Sequence, residues 1–375
     1  MREYAVVLCV AAIVSYFATP AVRWASIKLG AMTAVRDRDV HSIPIPRLGG
    51  VGVYIGMLAA MLVAHQLPGL QQTFVGSSET TAVIVAGGLI CLLGALDDRF
   101  DLDPFTKLAG QIACAGVLVL MGVQLAFIFI PASDLGTVSL DPNTSFLLTT
   151  LITVAAVNAM NFIDGLDGLL TGVAIIAAIA FFIYSYQFSR EGYGDVFSAP
   201  TLMTAVLAGA CIGFLPHNFN PARIFLGDSG SMLIGLVLAA AAVSTTGHAD
   251  PQSFSSAASA IPLFMPLLLP IAVLAIPLAD MTLAVVRRAR ERRSPFSPDK
   301  MHLHHRLLEI GHTQRRAVLI MYFWSALLAF AGVGAAIGQG PLVLSISAAL
   351  VVIAIILSVV PRARRRRRDG SKRPA

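Results

Sequence analysis

The chain has 375 residues, 56% of them apolar and only 13% charged, and its mean hydropathy is +0.77. An ordinary soluble domain is about 25% charged, so this composition excludes one and implies an integral membrane protein. Lysine and arginine outnumber aspartate and glutamate by 27 to 21, a net charge of +6; in a membrane protein such an excess records topology rather than affinity for nucleic acid.

A helix needs about 20 apolar residues to cross a hydrocarbon core of roughly 30 Å. Eleven stretches are candidates: Tyr4–Val22, Leu48–His65, Thr80–Leu96, Leu108–Gln124, Phe146–Val157, Leu169–Phe188, Thr201–Leu215, Ser231–Thr246, Ile261–Val286, Ala317–Ile337 and Leu342–Val360. The fifth is short, so Thr149, Thr150 and Thr153 must lie within its span. Tyr4–Val22 is too long, and too poorly charged ahead of it, for a cleaved leader, and reads as a retained first span. With the N-terminus outside, the inner segments carry 25 of the 27 basic residues and only Arg2 and Arg190 fall outside, as the positive-inside rule requires. The expected fold is therefore an all-α polytopic bundle of about eleven transmembrane helices with the C-terminus inside. Residues 1–360 form one integral membrane domain, and 361–375 a basic cytoplasmic tail with six Arg between Arg362 and Arg368, suited to anionic membrane lipid. Cys9, Cys91, Cys114 and Cys211 all fall within spans without metal-ligand spacing and read as packing residues.

The loops carry the chemistry. The first inner loop ends in HSIPIPRLGG, where Pro44 and Pro46 forbid helix. Arg47 with Gly49–Gly50 either binds phosphate there or only fixes topology. Gly52/Gly56, Gly209/Gly213 and Gly334/Gly338 give small-xxx-small faces, which close packing inside one bundle explains; the sequence leaves pairing as a homodimer open. The third span runs into Asp97-Asp98-Arg99-Phe100-Asp101. Adjacent residues cannot share a helical face, so Asp97 and Asp98 should do different jobs, one toward a ligand and one toward a partner such as Lys107. Lys107 and Gln111 share a face expected to point at the same water layer. FIFIPASDLGTVSL, after the fourth span, suggests a small outer β-hairpin.

Residues 158–169 read NAMNFIDGLDGL. Asn158 and Asn161 are three apart, as are Asp164 and Asp167, so on a helix each pair lies on one face, within reach of a shared ligand. A carboxylate at the bilayer centre costs roughly 2.5–3.5 kcal/mol on insertion scales, so two of them imply a water-filled mouth or a bound cation. In HNFNPARIFLGDSGS, residues 217–231, glycine-rich backbone at a helix start offers amides to an anion while Asp228 offers oxygen to a hard cation; the bland alternative is an N-cap. The ninth stretch is broken by Pro262, Pro266, Pro270 and Pro277, with Asp280 just beyond. The last inner loop carries DKMHLHHRL, whose His302, His304 and His305 lack accompanying zinc-ligand spacing and suit phosphate or a sugar hydroxyl.

DDRFDLDPFTKLAGQ, NAMNFIDGLDGL, IFLGDSGS and DKMHLHHRL, in this order and on one membrane side, resemble the motifs of the polyprenyl-phosphate N-acetylhexosamine-1-phosphate transferases, the WecA and TagO group, with MraY a more distant relative. The resemblance covers nearly the whole chain. It implies transfer of N-acetylglucosamine-1-phosphate from UDP-N-acetylglucosamine to undecaprenyl or decaprenyl phosphate, with release of UMP and use of Mg²⁺ or Mn²⁺. That is the first lipid-linked step of a cell-envelope glycopolymer, run at the cytoplasmic face of the inner or plasma membrane. By position it assigns catalytic roles to Asp97, Asp98, Lys107, Asp164, Asp167, His302, His304 and His305. It assigns substrate contacts to Asn158, Asn161, Arg47, Arg306 and Phe225, the last as a ring stacking on uracil, and metal binding to Asp228. The HLHHR form and PRLGG are closer to the N-acetylglucosamine branch than to MraY, which stands as the alternative. A secondary transporter is the remote alternative, because the acidic residues gather at inner span ends rather than at mid-membrane.

Overall fold

The computed structural model describes residues 1–32, 44–75, 77–130, 136–190, 197–247, 312–336 and 340–359, with isolated positions between 265 and 290. The chain runs through α1 (Arg2–Leu29), α2 (Gly49–Ala64), a short α3 (Gln72–Val75), α4 (Glu79–Phe100) and α5 (Pro104–Leu120). The hairpin β1 (Phe127–Ile130) and β2 (Gly136–Ser139) follows. The chain continues as α6 (Pro142–Ile163), α7 (Leu169–Phe188), α8 (Ala199–Asn218), α9 (Gly227–Gly247), α10 (Gln314–Ala336) and α11 (Gly340–Val359).

Seven described helices, α1, α4 and α6 to α10, are long and apolar enough to cross a membrane; α2, α5 and the 345–356 part of α11 are shorter apolar stretches. Ten of the expected spans coincide with helices. The ninth, 261–286, lies almost wholly outside the described residues, as does the tail 361–375. The expected hairpin is present, antiparallel with Phe127 opposite Ser139 and Ile130 opposite Gly136. α5 and α6 separate it from the Asp97–Lys107 corner, so it lies at the other end of the bundle. Large apolar side chains such as Phe17, Leu92, Leu147 and Ile353 face outward, which suits lipid as the outer solvent.

The fifth expected span is longer than its apolar run. Asp141 followed by Pro142 starts α6: the carboxylate accepts from the N–H groups of Asn143 and Thr144 at 3.1 and 3.2 Å, and proline suits the first helical turn. The helix then passes Val157 and ends at Ile163. Asn158 and Asn161 therefore lie on α6, whereas Asp164–Gly168 is a turn. The expectation that Asp164 and Asp167 share a helical face is corrected accordingly.

α9 is the axis of the bundle: the span Gly227–Thr246 is wholly buried, and it packs against α2, α4, α6, α7 and α8. Glycines set the spacing. A Cβ on Gly94 would sit 2.4 Å from the Asp228 carbonyl carbon, one on Gly50 2.0 Å from the Gly230 nitrogen, and one on Gly235 2.5 Å from the Val157 Cα. Without lipid-excluded hydrophobic gain, such close backbone approach is what holds membrane helices together. Gly56, Gly209 and Gly213 likewise press on the α1 backbone, so these small-residue faces are used inside the bundle, as expected.

Candidate active site

The first acidic motif forms a tight corner. α4 stops because Asp101 adopts a left-handed conformation (φ 55°) and donates its N–H to the Asp97 carbonyl at 2.9 Å. Two residues later Asp103 caps α5, accepting from Phe105 N and Thr106 N at 3.0 Å each. Bonds from the Thr106 hydroxyl and backbone hold the exposed Asp103 carboxyl below the usual carboxylate range. The corner places Lys107 one turn into α5, where its Nζ donates to Asp97 Oδ2 at 2.9 Å; Asp97 Oδ1 accepts from Leu102 N at 2.8 Å.

Lys107 also meets Asp228 at the head of α9. The other oxygen of Asp228 accepts from Asn161 Nδ2 at 2.8 Å, and the same amide donates to Ser231 Oγ at 2.9 Å. Asp97, Lys107 and Asn161, from three helices, thus gather around the Asp228 carboxylate of a fourth. The Lys107, Asp97 and Asp228 side chains remain 20%, 10% and 24% exposed, enough for an incoming ligand to reach Asp228.

Asp97 and Asp98 take different partners: Asp97 meets Lys107, as the sequence suggested, and Asp98 turns to the backbone at the head of α9. Asp98 is 7% exposed, and its two oxygens accept from Asp228 N at 2.9 Å and Ser229 N at 3.1 Å. Asp98 therefore caps α9 from a neighbouring helix, a charged acceptor at a helix N-terminus. The amides expected to hold a ligand anion here are already committed to a protein carboxylate. Gly227 makes the approach feasible: its φ is +72°, and a Cβ would lie 2.2 Å from the Arg47 carbonyl oxygen and 2.4 Å from Asp98 Oδ2.

The PRLGG amides are committed too. Gly49 N donates to Phe225 O at 3.0 Å, Gly50 N to Leu226 O at 2.8 Å, and Phe225 N to Pro46 O at 2.8 Å. This segment clamps the 219–226 loop and does not offer its glycine amides to phosphate. The Arg47 side chain stays half-exposed, with its charge bearing on Asp164, and the half-exposed Phe225 is held by its backbone on both sides.

In the second motif Asn158 and Asp167 depart from the sequence reading. Asn158 donates to Gln111 Oε1 at 2.7 Å and to Val154 O at 2.8 Å, and Gln111 is 1% exposed. Asn158 and Gln111 thus bond each other between α6 and α5 rather than facing substrate or water, because a polar side chain inside a bundle must find a partner. Asp167 is 3% exposed and accepts on Oδ2 from Asn220 Nδ2 and Ala222 N, both at 3.0 Å; it braces the 219–226 loop and is not paired with Asp164. Asp164 is half-exposed; its N–H donates to Asn161 O at 3.3 Å, and its carboxylate has no hydrogen bond or ion pair among the described residues. Surrounding protein, and next the charges of Asp228 and Asp98, push its carboxyl up to about 8. His302, His304, His305 and Arg306 lie outside the described residues.

Sequence reasoning missed Ser231 and Asn220. Ser231 closes the third motif one helical turn from Asp228, a spacing that places both on one face. Asn220 stands in an Asn-Pro step inside a quoted motif, and nothing local marks its partners.

The family model of glycosyl transferase family 4 matches residues 80–246, the stretch from the start of α4 to the end of α9. The chain is also 49% identical, over 100% of its length and 92% of the relative's, to a decaprenyl-phosphate N-acetylglucosaminephosphotransferase of Mycolicibacterium smegmatis. The chain belongs to glycosyl transferase family 4. A decaprenyl-phosphate N-acetylglucosaminephosphotransferase of Mycobacterium tuberculosis (strain ATCC 25618 / H37Rv) is 47% identical over 97% of this family member and 90% of its own length. An undecaprenyl-phosphate alpha-N-acetylglucosaminyl 1-phosphate transferase of Escherichia coli (strain K12) is 30% identical over 82% of it and 77% of its own length. Asp97, Lys107, Asn161 and Asp228 all fall inside the matched region.

Proposed function

We propose that this family member transfers N-acetylglucosamine-1-phosphate from UDP-N-acetylglucosamine to a polyprenyl phosphate, yielding polyprenyl-diphosphate-N-acetylglucosamine and UMP. The observation that carries the reading is the convergence of motifs 130 residues apart on Asp228, in a chain 49% identical throughout to a relative named for this transfer. The decaprenyl names of the relatives at 47–49% identity favour decaprenyl phosphate as acceptor. The names of the relatives favour this reading over an MraY-type donor. The cytoplasmic face is supported by charge: Arg23, Lys28, Arg47, Arg99, Lys107, Arg223 and Arg315 gather at the Asp228 end, and Arg2 and Arg190 at the other.

A divalent cation fits the donor set. Asp97, Asp98, Asp164 and Asp228 face only Lys107 and Arg47 as nearby cations among the described residues, and the Asp164 carboxylate is without a partner there. Hard oxygen donors suit Mg²⁺, which is commonly held by one or two carboxylates plus substrate phosphates. No group of three or more His, Cys, Asp or Glu among the described residues is spaced to hold a metal alone. Asp228 and Asp164 would hold it, and it would supply charge neutralisation at the diphosphate.

The protein's own tasks follow. A phosphate monoester has a second pKa of about 6, so the acceptor is largely dianionic at neutral pH and needs little help from a base. The net change forms a bond from an acceptor phosphate oxygen to the sugar-bearing phosphorus and breaks the diphosphate bond to UMP. Two anions must be brought together, and a positioned Lys107 lowers that cost. Asp97 holds Lys107 in place, Asp98 fixes the backbone beneath Asp228, and Asn161 orients its carboxylate. Phe225, clamped by the PRLGG segment, offers a ring for uracil, and His302, His304, His305 and Arg306 are assigned to the diphosphate or sugar.

The test is dependence on both partners. Purified protein with UDP-N-acetylglucosamine should release UMP only when polyprenyl phosphate and Mg²⁺ or Mn²⁺ are present, and chelation should stop release reversibly. Release that persists without the acceptor, or at full rate in chelator, would contradict the reading.

A further inference from the structure

Asn220 belongs to none of the acidic motifs, yet its side-chain amide is used completely. One amide hydrogen goes to Asp167 Oδ2 at 3.0 Å and the other to Gln314 Oε1 at 2.8 Å. Its carbonyl oxygens accept from Arg315 Nε, the backbone oxygen at 3.1 Å and the side-chain oxygen at 3.3 Å. Asp167 sits in the turn between α6 and α7, while Gln314 and Arg315 open α10. Three parts of the chain about 50 and 100 residues apart therefore meet on one half-buried residue. Two turns further along α10 the same elements are joined again: the Tyr322 hydroxyl donates to Gly168 O, and Gly172 lies so close that a Cβ there would be 2.0 Å from the Tyr322 ring.

The loop that Asn220 opens leads directly to Phe225. Its other anchors are the Asp167 bond to Ala222 N, Arg23 Nε to Arg223 O at 3.0 Å, Arg223 N to His217 O at 2.9 Å, Asn218 Nδ2 to Ile224 O at 3.1 Å and the PRLGG bonds to Phe225 and Leu226. These act from the α6–α7 turn, α1, α8 and the PRLGG segment, whereas the Asn220 bonds to Gln314 and Arg315 join this loop to α10. A side chain whose donors and acceptor are all committed across three elements cannot be replaced by a shorter or differently shaped one without releasing a link.

We propose that Asn220, with Arg315, is a positioning residue for nucleotide binding: it couples α10 to the Asp167 turn and to the loop that presents Phe225. The proposal rests on the transferase reading above and deepens it. If it holds, loosening the clasp affects the seating of the uridine end of the donor more than the displacement step, which occurs at Asp228.

The experiment is steady-state UMP release by full-length protein in detergent with decaprenyl phosphate. Wild-type turnover is the control; if wild-type protein releases no UMP, the transferase reading itself fails. Asn220→Ala should raise KM for UDP-N-acetylglucosamine about tenfold, equivalent to ~1.4 kcal/mol, with kcat changed less than about threefold. Arg315→Ala should do the same, and the double variant should be no worse than the poorer single, since both break one link. Phe225→Leu, which removes the ring at the end of the same path, should add little to Asn220→Ala. Thermal unfolding separates a merely structural role: a lowered Tm with unchanged KM overturns the proposal, as do additive effects of Asn220→Ala and Arg315→Ala. A fall in kcat at constant KM would overturn it too, by placing the clasp with the reacting groups.

Discussion

Asp228→Asn should lower turnover by about 10²–10³-fold or more, the size of effect seen when one preorganised electrostatic partner is removed from a reacting site, while the protein stays folded. The substitution keeps shape and an acceptor oxygen, so Asn161 and Ser231 can retain their places. It removes the charge that faces Lys107 and that suits a hard cation. The signature is a loss of kcat that extra Mg²⁺ does not restore, with helix content and thermal unfolding close to wild type. Activity near wild type would remove Asp228 from the role of metal ligand.

Gly227→Ala should be nearly as damaging through geometry alone. At φ +72° a Cβ costs about 1–2 kcal/mol of backbone strain, and here it would also overlap the Arg47 carbonyl and the Asp98 carboxylate. Relief requires Asp98 to leave the Asp228 and Ser229 amides, so the head of α9 shifts under the Asp228 carboxylate. A fall in kcat of about 100-fold is expected, ~2.7 kcal/mol in the activation barrier. Gly116→Ala is the matched control: its Cβ would meet only Phe146 at 3.6 Å, an ordinary contact, and alanine is the better helix former. Equal activity of the two variants would show that Asp98 does not need its present position.

The apolar helices were legible because hydropathy over 20 residues is a strong signal, and the corner around Asp97 and Lys107 was legible because two adjacent aspartates must diverge. What could not be read were the partners. α6 continues through Asn158 and Asn161 because Gln111 and Asp228 satisfy them from other helices, and no periodicity within α6 records that. The glycine-rich PRLGG and GDSG segments looked like anion cradles, since composition shows that amides are available; it does not show that Phe225, Leu226 and Asp98 already occupy them. Asp167 shares its motif with Asp164, but one turns inward to a loop 53 residues away and the other keeps an open carboxylate. Motif membership located the site; side-chain geometry divided the roles within it.

The donor decides the central claim. Purified protein with Mg²⁺ and decaprenyl phosphate should release UMP from UDP-N-acetylglucosamine, with polyprenyl-diphosphate-N-acetylglucosamine detected by mass, and should release none from UDP-N-acetylmuramoyl-pentapeptide. Turnover of the pentapeptide donor alone, or of neither donor, would contradict the account.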